Sequence, residues 1–456
     1  MNGEQVLIET KEEKKQFNRS LITMVLPISF QAFMMAAVSA SDAVMLGFLS
    51  QNAMSAVSLA GQITYVFNIL MTVLVQGTTL LAAQYWGKDD RKSVEMILGF
   101  ALTCTLVVSI VFGVSAIMLP ETLMRIFTDD KILIEQGGIY LKIVGYSYIP
   151  SGISQIYICI MKNSGKTLKS TVIGSSAMIL NLGLNALLIF GALGLPVLGI
   201  KGAAIATTTA MLVQMGWSIA ESIKADSIKI RLEYVLHIDN VLRRDFIRYS
   251  TPIAGNYLFY GLGVTMYSVI IGHMGADAVA ANSMASIVRN IISSVSKGSG
   301  TAGAILVGND LGRNQIEAAK VHAKKVIRFS ALCGGISGCI LLTLHPLLLK
   351  FVMLSPAASA ALSGMLLICC YYLVPISVNS TVIGGIFCAG GKSKFGCICD
   401  AIVLWCVIIP TSAIAAFMLD MPVVTVYFIL CLDEIIKLPA VFWYFRRYSW
   451  AQNITR

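Results

Sequence analysis

Charged residues are what this chain lacks. Only 13% of its 456 residues are Asp, Glu, Lys or Arg, while 56% are hydrophobic, and the mean hydropathy is +0.77. A soluble chain carries about 25% charged residues, so the ordinary water-soluble classes are excluded. Histidine is scarce too. His237, His273, His322 and His345 are scattered and form no H-E-x-x-H pattern. The 11 cysteines lie mostly in apolar segments, and "CC" and "CICD" lack the spacing of zinc ligands. No metal site is therefore expected, and the cysteines read as small buried apolar residues. No Ser/His/Asp triad or paired-carboxylate arrangement stands out, so no catalytic residue is named and an enzyme is not expected. "NSGKT" and "GGKSK" resemble the end of a phosphate-binding loop. That motif needs a Gly five residues before its second Gly, and Ile160 and Ile386 stand there.

What the chain has instead is long apolar runs. Twelve blocks of about 20–28 residues start near Leu21, Ser55, Val94, Gly137, Leu168, Gly199, Phe246, Val279, Ile327, Ser359, Gly396 and Pro422. A helix rises about 1.5 Å per residue, so ~20 residues cross a ~30 Å hydrocarbon core. Within lipid the backbone must satisfy its own hydrogen bonds, which favours helices over strands of this length. The expected class is an all-α integral membrane protein with twelve transmembrane helices. No cleaved leader is expected, because the first apolar run is too long and about twenty mostly polar residues precede it.

The formal charge of +10 suggests a nucleic-acid partner only until its distribution is read. Most Lys and Arg fall on one set of loops, including Lys88, Arg91, Lys162, Lys166, Arg243, Arg244, Lys324, Lys325, Arg446 and Arg447. The opposite loops hold Arg125, Lys131, Lys142, Lys201 and Lys350. Basic loops stay on the cytoplasmic side. Both termini are thus expected to be cytoplasmic in a multi-pass protein of the cell (plasma or inner) membrane, with no nucleic-acid partner.

The chain is also written twice. Pro27 matches Pro252, Gly47 matches Gly272, Pro120 matches Pro346, Pro150 matches Pro375 and Pro196 matches Pro422. The offset stays at 225 or 226, as 252 − 27 and 422 − 196 show. The reading is a tail over 1–20, a six-helix bundle over 21–221, an amphipathic basic linker over 222–245, a second bundle over 246–447 and a tail over 448–456. Six helices per half is an even number, so both halves insert in the same sense. Parallel repeats of this kind are related by a pseudo-twofold axis along the membrane normal. That architecture favours transport by alternating access. A passive channel and a membrane-embedded enzyme are weaker alternatives.

A charge at the bilayer centre costs at least ~2.5–3.5 kcal/mol, so its persistence suggests a use. Asp42, in "MMAAVSASDAVMLGF", has no partner within one turn, and its repeat mate is Tyr267. Helix 5 offers Asn181 and Asn185, four apart and on one face, and helix 6 offers Thr207. One carboxylate, two amides and a hydroxyl suit a proton or a small hard cation. The repeat mates of the two asparagines are Val407 and Thr411, so this pocket belongs to the first half alone. Further charges sit in other helices. Asp433 and Lys437 form an i,i+4 pair, Glu434 adjoins Asp433, Asp400 stands early in helix 11, and Arg289 and Lys297 either line the cleft or pair with these acids. Phe33, Met34, Met35, Tyr65, Tyr257 and Tyr260 are candidates for a substrate cleft, because Met adapts its shape and aromatic faces attract cations.

These stretches resemble the multidrug and toxic compound extrusion (MATE) transporters of bacteria. The resemblance covers nearly the whole chain. It rests on Pro27 followed by "SDAVMLGFLSQNAMSAVSLA", on "QYWGKDDRKSV", on "SGKTLKSTVIGSSAMILNLGLN" and on "LGIKGAAIAT". It implies a twelve-helix antiporter, typically monomeric, that expels organic and often cationic compounds in exchange for H⁺ or Na⁺ and uses no other cofactor. It also implies a cation-coupling site at Asp42, Asn181 and Thr207, and a hinge at Pro27 in the first helix. Asn185 departs from the pattern, which has Asp there, leaving one acid in place of two. A flippase for lipid-linked oligosaccharides, from the same superfamily, is the alternative within this fold.

Overall fold

The structure is a computed structural model that describes residues 10–194, 196–236, 239–352 and 354–455. His237 lies outside them. Among the described residues the chain is helical throughout. The first repeat runs α1 (Lys11–Leu49), α2 (Gln51–Gly87), α3 (Arg91–Met118), α4 (Pro120–Arg125), α5 (Lys131–Val144), α6 (Tyr148–Asn163), α7 (Thr167–Phe190) and α8 (Ile200–Ser222). A short α9 (Leu232–Leu236) precedes the second repeat. That repeat runs α10 (Asn240–Gly272), α11 (Ala276–Ile292), α12 (Ser294–Gly312), α13 (Ile316–Phe351), α14 (Pro356–Asn379), α15 (Ser393–Ala401), α16 (Ile409–Phe417), α17 (Val423–Leu430) and α18 (Asp433–Arg446).

Helix fills every one of the twelve apolar blocks, but not every block is one unbroken helix. Among the described residues, eight helices are long and apolar enough by themselves to cross a membrane. Three of the other blocks are interrupted. A tight 3₁₀ turn at Gly145–Ser147 separates α5 from α6, Ser293 separates α11 from α12, and Cys431 and Leu432 separate α17 from α18. The remaining block, in α10, is diluted by Tyr and Gly.

The chain divides into two compact units that do not follow the repeat boundary. One contains residues 34–82 and 90–247, the other residues 1–33, 83–89 and 248–456. The reason is visible inside the second of these units. A Cβ on Gly312 would land on the carbonyl of Gln84, so only glycine lets the end of α2 lie against the end of α12. Gln84 is fully buried. Its Nε2 donates to the carbonyls of Ala389 (2.7 Å) and Gln452 (3.1 Å), and its Oε1 accepts from the Ile454 amide at 2.9 Å. Residues 450–454 of the expected tail are therefore packed against their unit. Trp450 is buried, stacked on Phe445, and its indole donates to the Phe445 carbonyl. α1 begins at Lys11, so residues 11–20 of the expected tail are helical.

The amphipathic, basic linker joins α8 to α10 by way of the short α9. Within 222–245 the short α9 and the start of α10 are helical, and the segment is stitched to its own unit. The Tyr157 hydroxyl donates to the Ile228 carbonyl at 3.1 Å, and the Thr103 hydroxyl to that of Val235 at 2.8 Å. Arg231 pairs with Glu95 at 2.6 Å, and Lys166 with Asp226 at 3.0 Å. Lys166 thereby holds the Asp226 carboxyl below its ordinary range.

Candidate functional site

α7 presents one buried stripe, comprising Ser170, Ile173, Gly174, Ala177, Asn181, Asn185 and Ile189. The near-four-residue spacing of a single helix face accounts for it. Two amides in that stripe demand partners. α8 supplies one because it approaches closely at Gly202, where an added Cβ would sit 2.6 Å from the Leu188 carbonyl oxygen. The Asn181 amide donates to the Thr207 hydroxyl at 3.2 Å, and that hydroxyl donates to the Ala203 carbonyl at 3.0 Å. α1 supplies the other partner. The Asn185 amide donates to Oδ1 of Asp42 at 2.7 Å and to Oδ1 of Asn181 at 3.3 Å.

The four residues grouped from the sequence are thus one connected chain within one unit. Asn181 and Asn185 are buried, while Asp42 is half-buried. Beneath them an apolar cluster of Leu46, Ile189 and Ala203 closes the site, with Met45 and Tyr140 against it. Tyr140 of α5 was not anticipated. It packs against the apolar cluster beside the site, and no feature of the sequence near Tyr140 signals this. The site offers one carboxylate with a single strong donor and an Asn185 Oδ1 that has no partner. Bare acceptor oxygens around one acid suit a proton or a small monovalent cation better than an anion.

The second unit collects the other charges. Lys437, 2% exposed, donates to Asp400 at 2.8 Å and to Glu434 at 2.9 Å, and lies 3.7 Å from Asp433. The i,i+4 pair expected from the sequence is therefore the loosest of three contacts. The Asn379 amide donates to Glu434 Oε2 at 2.7 Å, and the Asn256 amide donates to Asp400 Oδ2. Arg289 and Lys297 join no carboxylate in the described ion pairs. Arg289 lies 6.0 Å from the centre of the Tyr372 ring, and Lys297 is exposed.

The aromatic and Met candidates divide. Phe33, Met35 and Tyr65 are exposed, and Met34 and Tyr257 are half-buried. Tyr260 is half-buried beneath Lys437, 6.0 Å from ring centre to ammonium, so it serves the charge cluster. Pro27 lies inside an α1 that remains helical from Lys11 to Leu49. Among the described residues no group of three His, Cys, Asp or Glu is arranged to hold a metal ion.

Comparison with known proteins agrees with this reading of the fold. The MatE family profile matches twice, at residues 27–187 and again at 252–414, which is the duplication seen in the sequence. An uncharacterized transporter, YisQ, of Bacillus subtilis is 22% identical over 95% of both chains. A probable multidrug resistance protein, NorM, of Thermotoga maritima is 25% identical over 70% of this chain and 68% of its own. A solved structure described as the outward-facing conformation of a multidrug resistance MATE family transporter has a TM-score of 0.87 at 15% identity. It covers 95% of this chain, which in turn covers 96% of it.

Proposed function

The chain belongs to the MatE family, whose members are transporters and not enzymes, and from that premise we propose that it is a secondary antiporter. It exports organic, often cationic, compounds across the cell membrane in exchange for H⁺ or Na⁺, with both termini in the cytoplasm. The observation that carries the reading is the chain Asp42–Asn185–Asn181–Thr207, a single acid fixed by amides in an apolar surrounding. The relatives' names, multidrug resistance among them, support the substrate class.

A coupling ion does work only if it binds one state more tightly than the other. Asp42 provides that difference. When the site is open to the outside, H⁺ or Na⁺ occupies the carboxylate and its neighbouring bare oxygen. The pocket contracts around the ion, α1 bends at Pro27, where the ring leaves one backbone carbonyl without its amide donor, and substrate affinity falls. The site then faces the cytoplasm, releases the ion and accepts the next substrate. One charge moving through about 100 mV supplies about 2.3 kcal/mol, a concentration ratio of roughly 50. That is sufficient for useful export by a monomer without any cofactor.

The test is accumulation of a fluorescent organic cation in proteoliposomes under H⁺ and Na⁺ gradients imposed in turn. Gradient-dependent, saturable accumulation with one of the two ions is expected. Equal rates with no gradient would overturn the antiport reading.

A further inference from the structure

The polar face of α8 does not end at Thr207. It continues through the buried residues Gln214, Ser218 and Glu221, and steps of seven, four and three residues keep all four on one side of a helix. α7 carries a matching buried row in Thr171 and Ser175, which precede Asn181 and Asn185. All of these residues lie in the unit that holds Asp42. The two helices run antiparallel, and contacts toward both ends fix their register. The Asn181 amide meets the Thr207 hydroxyl, and Lys169 pairs with Glu221 at 3.2 Å. From the first contact, six residues back along α7 is Ser175 and seven forward along α8 is Gln214. Four more on each helix reach Thr171 and Ser218; two further back and three further forward reach Lys169 and Glu221. The register therefore sets Ser175 level with Gln214 and Thr171 level with Ser218. The result is a polar seam that leads from the Asp42 site to the Lys169–Glu221 pair.

Packing alone does not account for this seam. Thr171 and Ser175 are 5% exposed and Ser218 is 0% exposed, and none of their hydroxyl oxygens has a partner among the described residues. A Ser or Thr in a helix can bond a carbonyl of the preceding turn, and Ser170, Thr207 and Thr208 do so. The three seam hydroxyls do not, which leaves each able both to donate and to accept. Polar groups inside a membrane are costly and mark ion and proton pathways. Rungs four residues apart are separated by ~6 Å along the axis, about twice an O–H···O distance, so a single water spans each step. The second repeat has no such row. At the offset of 226, the mates of Thr171, Ser175, Gln214, Ser218 and Glu221 are Cys397, Ala401, Ala440, Tyr444 and Arg447. Asp42 and the seam belong to the same half alone.

We propose that the α7–α8 seam is a hydrated proton path from the Asp42 site to the Lys169–Glu221 end, by which the coupling proton leaves separately from the substrate. That end is the cytoplasmic one in the topology proposed above. The cargo is a proton and not Na⁺. A hard metal cation gathers about six oxygens around one point, whereas the seam offers its oxygens one rung at a time. In the transfer each oxygen accepts a proton from one neighbour and gives its own to the next, and Asp42 is left as the carboxylate. Glu221, held between Lys169 and Lys224, is the last acceptor before the solvent. The present structure shows the seam closed. Thr207 and Gln214 are about 10 Å apart along the axis, and the buried residues of that stretch include Ala177 and Ala210, 1% and 0% exposed. The Thr207 hydroxyl is itself committed to the Ala203 carbonyl. A stretch closed by methyl groups keeps Asp42 from reaching both sides at once. The use of the path in transport rests on the antiport reading above.

The experiment uses the intact protein in proteoliposomes loaded with a pH-sensitive dye. Ala210→Ser adds a hydroxyl to the closed stretch and should dissipate an imposed pH gradient several-fold faster than the wild type with no substrate present. Adding Asp42→Asn should remove that leak. Thr171→Val with Ser175→Ala and Ser218→Ala removes the three hydroxyls at nearly constant volume. This variant should melt with the wild type and keep substrate-for-substrate counterflow, yet lose the acceleration that an H⁺ gradient gives. Thr105→Val with Ser109→Ala, which removes two buried and unpartnered hydroxyls of α3, should keep it. An Ala210→Ser protein without a leak, a leak that survives Asp42→Asn, or wild-type gradient response in the triple variant would each overturn the seam and leave the antiport reading standing. Counterflow that falls as far as gradient-driven transport in the triple variant would also overturn it, as the mark of a structural role. Wild-type accumulation driven by Na⁺ alone would overturn the proton path but not antiport. Accumulation under neither gradient would overturn antiport, and the substrate-free leak would still decide the seam.

Discussion

Replacing Lys437 by Met is the most informative perturbation of the second unit. The side chain is 2% exposed and makes two charge-assisted hydrogen bonds, at 2.8 and 2.9 Å, with a third acid 3.7 Å away. Hydrogen bonds to charged groups contribute about 1.5–3 kcal/mol each, so two give about 3–6 kcal/mol. Removing one partner from a buried pair costs about 3–5 kcal/mol, because the remaining charges stay buried. Against a typical total of about 5–15 kcal/mol, Lys437→Met should melt at a clearly lower temperature and yield less monodisperse protein. The companion is the triple variant Lys437→Met, Asp400→Asn, Glu434→Gln. Neutralising both hydrogen-bonded acids removes the two carboxylate charges that Lys437 held most closely and leaves Asp433 alone, so part of the stability should return. The assay is thermal unfolding in detergent followed by size-exclusion fluorescence. A single variant that melts with the wild type, or a triple variant less stable than the single one, would refute the electrostatic account.

Two further outcomes follow from packing and hydrogen bonding. Asn185→Leu removes the donor to Asp42 and leaves the carboxylate without its 2.7 Å partner, which should cost about 1–3 kcal/mol and weaken ion-driven transport more than substrate binding; paired measurements of melting and transport check this. Trp450→Ala empties a fully buried site and should cost about 3–5 kcal/mol, read as a lower melting temperature and faster proteolysis of the C-terminal residues.

The large-scale order was legible because lipid imposes it. Block length, loop charge and the repeated prolines each answer to one constraint, and helix fills each expected block. The Asp42 site was legible for a local reason, since Asn181 and Asn185 are four apart on one helix and their amides need partners. Four things were not legible. Tyr140 packs beside the same pocket from α5 through tertiary packing, with no pattern around it in the sequence. Lys437 bonds most closely to Asp400, 37 residues away, whereas its sequence neighbour Asp433 is the loosest partner. The linker docks partly through the carbonyls of Ile228 and Val235, which no side-chain pattern marks. The interruptions at Gly145–Ser147 and at Cys431 and Leu432 were hidden as well, because a brief change of helical pitch leaves the apolar pattern unchanged.

The central claim is that the Asp42 carboxylate couples ion binding to substrate release. Asp42→Asn keeps the size and hydrogen-bonding reach of the side chain but removes its charge. In proteoliposomes this variant should retain substrate-for-substrate counterflow while losing accumulation driven by an H⁺ or Na⁺ gradient. Gradient-driven accumulation at the wild-type rate and extent by Asp42→Asn would contradict it.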